Sequence, residues 1–357
     1  MMIMAQSAPP NRSPRQRILK LHRWISLAAA AFWLVQALTG IAILFHWEIA
    51  DAAYPSPHEP TDLARIEQRI DAIQSGGATV KTIWTTAGAA DRYTINLDKS
   101  SVLISGDGTV LRPATIQKPA LMGTLVGIHH DLLGGKLGSW IVSISGILLL
   151  SNLALGLIAA WPRRRAWKAA LAPARKGPLP ARVYSWHRAI GLWGCLPALL
   201  VVVTGTMLKF EDGVGYLIGA RPITLPAVPR TGDPVGFAAA AGSALSAIPG
   251  STLTMVRWPG EDDATYSVRV RAPGEIRRAY GASVVLVDAN TGAVRGTYPI
   301  AQAEPARGFM SALFPIHTGE FGGLAGRLFS ALVGLWLMGM IVLGTMLWIK
   351  RRKSGKV

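Results

Sequence analysis

Residues 128–161 read IHHDLLGGKLGSWIVSISGILLLSNLALGLIAAW, and this stretch decides the class of the fold. A short phrase with two histidines and two glycines is followed by an apolar run, Leu137–Trp161, that holds no Asp, Glu, Lys or Arg. A helix needs about 20 apolar residues to cross the roughly 30 Å core of a bilayer. The run therefore predicts a transmembrane helix.

Three more uncharged apolar runs of similar length occur in the chain: Trp24–Phe45, Ile190–Leu208 and Leu328–Ile349. Four such runs favour a membrane α-helical protein over a soluble protein with buried core helices. The first run is longer than the apolar core of a cleaved signal peptide, about 7–15 residues. We therefore interpret it as a retained anchor and predict a four-helix membrane bundle.

The net charge of +17 lies mostly in three segments, residues 1–24, 161–188 and 350–357, which contain no acidic residue. Lys and Arg concentrate in cytoplasmic loops and tails of membrane proteins. This distribution predicts that both termini are cytoplasmic and that two long loops, 47–136 and 211–323, are periplasmic. It also accounts for the basic excess without nucleic acid, so we expect membrane lipid and no nucleic acid among the partners.

The opening phrase recurs as IHTGEFGG at residues 316–323. A shift of 188 residues places His129 on His317 and matches five glycines: Gly134, Gly135, Gly138, Gly146 and Gly156. A shift of 165 residues places His22 on His187 and Thr39-Gly40 on Thr204-Gly205. The chain is thus interpreted as two tandem copies of helix, long loop and helix, related by a pseudo-twofold axis along the membrane normal.

Each long loop carries a helical pattern followed by strand-like runs. Residues 61–73 place apolar side chains at spacings of three and four, which indicates a helix, and VKTIWTT, RYTINLD and SVLISGDGTVL follow. Residues 233–248 and three further β-rich runs repeat this order in the second loop. We predict two α+β modules of about 70 residues whose small cores lean on each other or on the bundle.

The predicted domain order follows from these segments. It is the N-terminus and first span 1–46, module one 47–121, an outer motif with span two 122–161, a basic loop 162–186, span three 187–210, module two 211–305, an outer motif with span four 306–349, and a tail 350–357.

Four of the seven histidines form two matched pairs, His22 with His187 at the cytoplasmic ends of spans and His129 with His317 at the outer ends. A pseudo-twofold axis would bring the members of a pair to opposite sides of one point, which suits two imidazoles on the two faces of one haem iron. Two such haems, one near each face, would conduct electrons across the membrane. The matched glycines would make room for a bulky ring or for close helix packing: Gly40, Gly146, Gly205 and Gly334.

Other interpretations of the histidines stay open. Any one of them could be an interfacial polar residue, and His46 or His130 could replace a ligand of the outer pair. Zinc is disfavoured because the sequence has no HExxH motif and one cysteine, Cys195. A proton relay would need acidic residues in the spans, and there are none.

The sequence resembles the PepSY-associated transmembrane (PepSY-TM) family over residues 17–352. The phrases that carry the resemblance are LHRWISL (21–27), IHHDLLGGKLGSW (128–140), SWHRAIGLWG (185–194), VDANTGAV (287–294) and IHTGEFGGLAGR (316–327). The resemblance implies a bacterial inner-membrane protein of the ferric-siderophore reductase type, with two b-type haems and PepSY-like periplasmic modules. It implies an oxidoreductase that reduces a ferric chelate in the periplasm and releases Fe(II), with electrons from a cytoplasmic protein or quinol.

Applied to this chain, the resemblance makes His22, His187, His129 and His317 the expected axial ligands. The aromatic residues Trp84, Tyr93, Trp258 and Tyr266 are interpreted as strand packing residues. Arg307 and Lys136 are interpreted as solvated charges. A different function is a non-enzymatic membrane anchor that displays PepSY-like modules to periplasmic proteins. A transporter is the weakest alternative, since the spans carry no charges for a polar substrate path.

Overall fold

The computed structural model describes residues 13–86, 91–116, 121–276 and 281–353. Arg12 and Lys356, which belong to the predicted basic termini, lie outside this part. The described chain forms, in order, α1 (Pro14–Ile43), α2 (His46–Asp51), α3 (Leu63–Ser75), β1 (Val80–Thr85), β2 (Arg92–Leu97), β3 (Ser100–Ser105), β4 (Val110–Ile116), α4 (Leu121–Asp131), α5 (Gly135–Ala160), α6 (Trp167–Leu171), α7 (Leu179–Lys209), α8 (Glu211–Ile218), α9 (Phe237–Ala247), β5 (Thr252–Arg257), β6 (Thr265–Arg271), β7 (Ser283–Asp288), β8 (Val294–Tyr298), α10 (Pro305–Thr318) and α11 (Gly323–Lys353).

The chain divides into two compact units. The helical unit contains residues 1–41, 128–206 and 330–357, and the sheet unit contains residues 42–127 and 207–329. Each unit is described by itself below.

The four predicted apolar runs lie within α1, α5, α7 and α11, which are long and apolar enough to cross a bilayer. Their outer faces carry exposed apolar side chains, as a lipid-facing surface requires: Leu38, Ile144, Leu200, Leu332 and Leu335. The expectation of a membrane α-helical protein is confirmed.

Close helix packing in the helical unit depends on two of the predicted glycines. A Cβ at Gly146 would lie 2.8 Å from Thr206 Oγ1, and one at Gly334 would lie 2.6 Å from Ile41 Cγ1. Both distances are shorter than real side chains tolerate, so larger residues would force the helices apart.

The strands of both loops join in one antiparallel sheet of order β4-β3-β2-β1-β5-β6-β7-β8. The junction is the pairing of β1 with β5, in which Ile83 lies opposite Val256 and Trp84 opposite Met255. The sequence predicts two modules that lean on each other or on the bundle. The structure instead gives them a single sheet, and small modules gain apolar burial from this continuity.

The core of the sheet unit lies between the sheet and the pair α3 and α9. It contains Ile66 and Ile70 of α3, Ala240 and Ala244 of α9, and Val268 of β6. The Asp62 carboxylate caps α3 by accepting bonds from the amides of residues 64 and 65. Beside Phe237, α9 buries three alanines in this core, and these small side chains let the helix approach the sheet closely.

The recurring phrase forms a tight turn in both places. A Cβ at Gly138 would overlap the carbonyl oxygen of Asp131, and a Cβ at Gly326 would overlap that of Gly319. These contacts require glycine at the first turn of α5 and of α11. The residues that precede each turn are helical and form α4 and α10, whereas the sequence alone fits either a loop or a helix there.

Candidate functional site

The side chains of His22 and His187 meet inside the helical unit. His22 lies on α1 and His187 on α7, and their ring centroids are 6.4 Å apart with an interplanar angle of 54°. A nitrogen of imidazole lies about 2.0–2.1 Å from a bound first-row metal, so two rings facing one ion have centroids about 6 Å apart. The observed separation fits two axial ligands of one iron.

The hydrogen bond of His22 fixes which ring nitrogen is available. His22 Nδ1 lies 3.0 Å from the backbone carbonyl oxygen of Asn152. Because a carbonyl only accepts, Nδ1 carries the proton and Nε2 keeps its lone pair. This is the usual arrangement of a metal-binding histidine, in which a second protein group orients the ring.

The two imidazole rings of the pair differ in the hydrogen bonding of their Nδ1 atoms. His187 Nδ1 is buried and has no hydrogen-bond partner. A buried imidazole nitrogen without a partner is costly. A ligand on Nε2 would leave the Nδ1 bond of His22 intact, whereas Nδ1 of His187 would stay without a hydrogen-bond partner.

Two matched glycines make room for these rings. A Cβ at Gly156 would lie 3.0 Å from His22 Cε1, and one at Gly344 would lie 3.3 Å from His187 Cε1. Gly156 and Gly344 occupy matched positions in the shift of 188 residues. The sequence assigned the ring-accommodating role to other glycines, so this pairing of glycine with histidine is a finding of the structure.

A cavity of about 90 Å³ adjoins the pair. Its lining is mostly apolar, with Tyr184, Cys195, Trp336 and Met340 beside the two histidines. Pockets that enclose drug-sized ligands measure about 300–1,000 Å³. The two histidines could serve as axial donors to a haem iron, whereas the enclosed space is smaller than a macrocycle requires.

His129 shows the same type of environment near the other end of the helical unit. Its Nδ1 lies 3.1 Å from the carbonyl oxygen of Gln36 and 3.3 Å from Thr39 Oγ1. A Cβ at Gly40 would lie 2.9 Å from His129 Cε1. His129 thus has a fixed Nδ1 and a glycine beside its ring, as His22 has.

His317 lies in the last turn of α10, in the sheet unit, and is half-buried. The two members of the predicted outer pair therefore belong to different units, and their pairing stays a prediction.

The alternative ligands have distinct environments. His46 bonds the carbonyl oxygen of Ile43 and packs on the Trp47 ring, and burial lowers its pKa. His130 is exposed at the surface of α4. A partly buried imidazole that stays neutral suits metal binding better than an exposed one, so His46 is the stronger of the two alternatives.

The sheet unit contains a larger cavity of about 360 Å³ on the face of β1–β4. Its lining combines aromatic, polar and basic side chains: Trp47, Ala50, Asp51, Tyr54, Trp84, Thr85, Thr86, Arg92, Thr94, Asn96, Leu103 and Arg112. Arg92 is 1% exposed and is held by Asp51 Oδ1 at 2.6 Å. The volume and lining suit a small organic ligand.

The other predicted aromatic and basic residues have structural contacts. Tyr93 and Tyr266 are buried in the core, and Trp258 stacks on Phe237. Arg307 packs over the Tyr298 ring, whereas Lys136 is exposed at the start of α5. Of the four aromatic residues, Trp84 alone lines the cavity.

An arginine missed by the sequence interpretation ties α11 to α2. Arg327 is 7% exposed and bonds both carboxylate oxygens of Glu48 and the Leu44 carbonyl oxygen, with its guanidinium 4.5 Å from the Phe45 ring centroid. The sequence feature that could have indicated this role is the basic residue at the end of the phrase LAGR. Arg327 fixes the start of α11 against the segment that holds His46.

Among the described residues, no group of three or more His, Cys, Asp or Glu side chains could hold a metal ion. A haem iron needs only two axial ligands from the protein, so this finding concerns zinc-type sites. Against known proteins, the sequence model of the PepSY-associated TM region matches residues 19–351. A comparison with curated proteins found no match.

Proposed function

Since the chain belongs to the PepSY-associated TM family, we propose that it is a dihaem electron-transfer protein of the bacterial inner membrane that reduces a ferric chelate in the periplasm. The observation that carries this proposal is the His22–His187 pair, with ring centroids 6.4 Å apart inside a unit of membrane-type helices. One-electron transfer is the chemistry that haem b would supply between such ligands.

The residues around the pair would orient the ligands. The Asn152 carbonyl holds the His22 ring with Nε2 unprotonated, and Gly156 and Gly344 leave space for the two rings. The Asn152 side chain donates a bond of 2.8 Å to Ser26 Oγ, which ties α5 to α1 at this level. The site is therefore pre-organised on rigid helices rather than on loops.

His129 and His317 are proposed as the ligands of the second, outer haem. The support for His129 is its oriented Nδ1 and its contact with Gly40. The support for His317 is its matched position in the repeated phrase.

The cavity of the sheet unit is the proposed site of the chelate. Trp47 and Trp84 offer flat apolar surfaces, and Arg112 offers a cation to the oxygen-rich groups that bind Fe(III). An electron from a cytoplasmic protein or quinol would convert Fe(III) into Fe(II), and the chelate would release the metal because it binds Fe(II) more weakly.

The test is a single-turnover reaction of the purified full chain. The protein is reduced with dithionite, freed of excess reductant, and mixed with ferric citrate or a ferric trihydroxamate under argon. We expect about one Fe(II) per haem, trapped by a chromogenic ligand, and reoxidation of the protein at the same rate. His22→Ala, which keeps the outer haem, should lower the yield from about two Fe(II) per chain to about one, and His58→Ala, at an exposed position, should not change it. Equal Fe(II) yield from His22→Ala would overturn the assignment.

The display-module function is favoured by one observation, the open edges of the sheet. Strands β4 and β8 end the sheet, and edge strands can pair with an extended segment of another protein. This function predicts a colourless protein whose partner binding survives substitution of all four histidines.

A further inference from the structure

The helical unit has one strongly cationic end. Within the described part of the chain, residues 13–24, 161–188 and 350–353 contain 16 of the 37 basic residues and no acid. Asp131 is the one acidic residue assigned to this unit, and it precedes α5, about 39 Å of helix away from the basic end. The counter-charge for this end must therefore come from outside the unit.

We propose that the segment from Trp161 to Lys168 is a binding site for the phosphate group of anionic phospholipids. It connects α5 with the following membrane-type helix, α7, and contains Arg163, Arg164, Arg165 and Lys168, all exposed. A connection between two spans lies at the membrane surface whichever leaflet it faces, so these cations are within reach of headgroups.

Two arginines from neighbouring helices gather at the same point. Arg15 of α1 donates to the carbonyl oxygen of Ala159 at 2.8 Å, and Arg188 of α7 donates to that of Ala160 at 3.1 Å. These are terminal carbonyls of α5, which lack partners within the helix. The bonds hold the ends of three helices together and add cationic side chains beside the segment.

The fourth long helix ends close to α7 as well. The guanidinium of Arg351 lies 5.4 Å from the Tyr184 ring centroid, and Arg352 is exposed in the same turn of α11. The basic end therefore combines residues from all four spans and forms a cluster rather than a linear run of charges.

Two tryptophans bracket the arginines and set their depth. Trp161 and Trp167 form an edge-to-face pair with ring centroids 5.1 Å apart and an interplanar angle of 82°. The Trp161 side chain stays 56% exposed although it is large and apolar. Indoles prefer the headgroup level of a bilayer, with the ring in apolar surroundings and the N–H in water. Arg163, Arg164 and Arg165 follow Trp161 directly and would lie at the level of the phosphates.

The chemistry of the cluster favours phosphate over other anions. A guanidinium offers paired N–H groups that match two phosphate oxygens, and three consecutive arginines offer several such pairs. An acidic soluble protein could also be attracted by these charges. The tryptophan pair and the flanking spans favour lipid, because an exposed indole at the depth of the headgroups contacts the bilayer and not a soluble acidic protein.

The experiment uses the purified full chain in a non-ionic detergent, supplied with phosphatidylglycerol or phosphatidylcholine. Bound lipid per chain is counted by native mass spectrometry, and thermal unfolding is followed in parallel. The test variant is R163Q/R164Q/R165Q. The control K99Q/R221Q/R257Q removes three exposed cations from the sheet unit and changes the net charge equally. R163K/R164K/R165K keeps the charge but not the guanidinium.

We expect the unaltered chain and the control to retain phosphatidylglycerol over phosphatidylcholine. One basic residue at an anionic surface is worth about a fivefold change in association, so the triple glutamine variant should lose about a hundredfold. The lysine variant should keep most of the preference. If the glutamine variant does not fold, raising NaCl to 1 M should remove the preference of the unaltered chain, since screening is strong at that concentration.

Equal phosphatidylglycerol retention by the unaltered chain and the glutamine variant would overturn the proposal. So would a preference that survives 1 M NaCl. Loss of binding to soluble polyglutamate, with lipid retention unchanged, would assign the cluster to an acidic protein instead.

Discussion

The ring centroids of His22 and His187 lie 6.4 Å apart, although the two residues belong to different helices, α1 and α7. His22 is oriented by the Asn152 carbonyl, while the Nδ1 atom of His187 is buried without a partner. The pair therefore combines the spacing of two ligands on one iron with an asymmetry, because only the Nδ1 atom of His22 has a hydrogen-bond partner.

Gly156 and Gly344 should be intolerant of a methyl group. Alanine at either position would meet an imidazole at 3.0 or 3.3 Å, so the ring must move or the helices must separate. Overpacking of this kind costs about 1–3 kcal/mol, and we expect a matching loss of thermal stability together with reduced haem content. The control is Gly339→Ala on α11, where an added Cβ meets nothing within 4 Å. An unchanged haem content in both test variants would contradict the role assigned to these glycines.

His129 and His317 should share one haem. Alanine at either position is expected to remove one of two haems and to leave the other with its spectrum intact, because the His22–His187 pair lies elsewhere. Haem is counted by pyridine extraction from the purified protein. His58→Ala, at an exposed position outside the proposed ligand set, is the control. Full haem content in His129→Ala would transfer the ligand role to another residue, and His46→Ala would be tested next.

Arg327 and Glu48 should be strongly coupled. Arg327 is buried but the Glu48 side chain is 49% exposed, so solvent takes up part of the charge that R327M leaves. The cost should lie between that of an exposed pair and the roughly 3–5 kcal/mol of a buried one, and the thermal unfolding temperature should fall. The double variant E48Q/R327M should recover part of the loss. The exposed pair of Lys81 and Asp98 provides the comparison, since K81M should cost under about 1 kcal/mol. Equal effects of R327M and K81M would show that the Arg327 contacts contribute little.

The sheet unit should lose stability in alkaline solution. Burial raises the pKa of Tyr93 and of Tyr266 to about 12 in the folded state. A raised folded pKa means that the stabilisation is complete below the unfolded pKa of about 10 and is lost as the pH rises toward 12. We expect unfolding monitored by circular dichroism to become easier from pH 10 to pH 12. Y93F/Y266F should be less stable at pH 8, through lost hydrogen bonds, and should show a flatter profile. An identical pH profile in that variant would refute the assignment.

The sequence predicts the elements whose signal is local. The four spans follow from uncharged apolar runs, and α3 follows from Leu63, Ile66 and Ile70 at helical spacing. The helices α4 and α10 contain Gly127 and Pro315, which lower helix propensity, so the local signal for a helix is weak there. Tertiary contacts of the His129 and His317 segments override that local preference.

The sequence contains no pattern from which the pairing of strands far apart in the chain could be predicted. The junction of β1 with β5 depends on backbone hydrogen bonds between strands far apart in the chain, and these bonds do not specify side-chain identity. The predicted duplication makes His22 and His187 equivalent, but it does not show which glycines face them. Gly156 and Gly344 match each other in sequence, yet only the packing of α5 against α1, and of α11 against α7, reveals their neighbours.

The most direct test of the central claim is an absorbance spectrum of the purified full chain, expressed with ample haem, before and after dithionite. We expect sharp α and Soret bands of six-coordinate b-type haem at about two haems per chain, with the bands of one haem lost in His22→Ala and in His187→Ala. A featureless spectrum, or an unchanged one in both variants, would contradict it and would leave the histidine pair as a packing contact of the bundle.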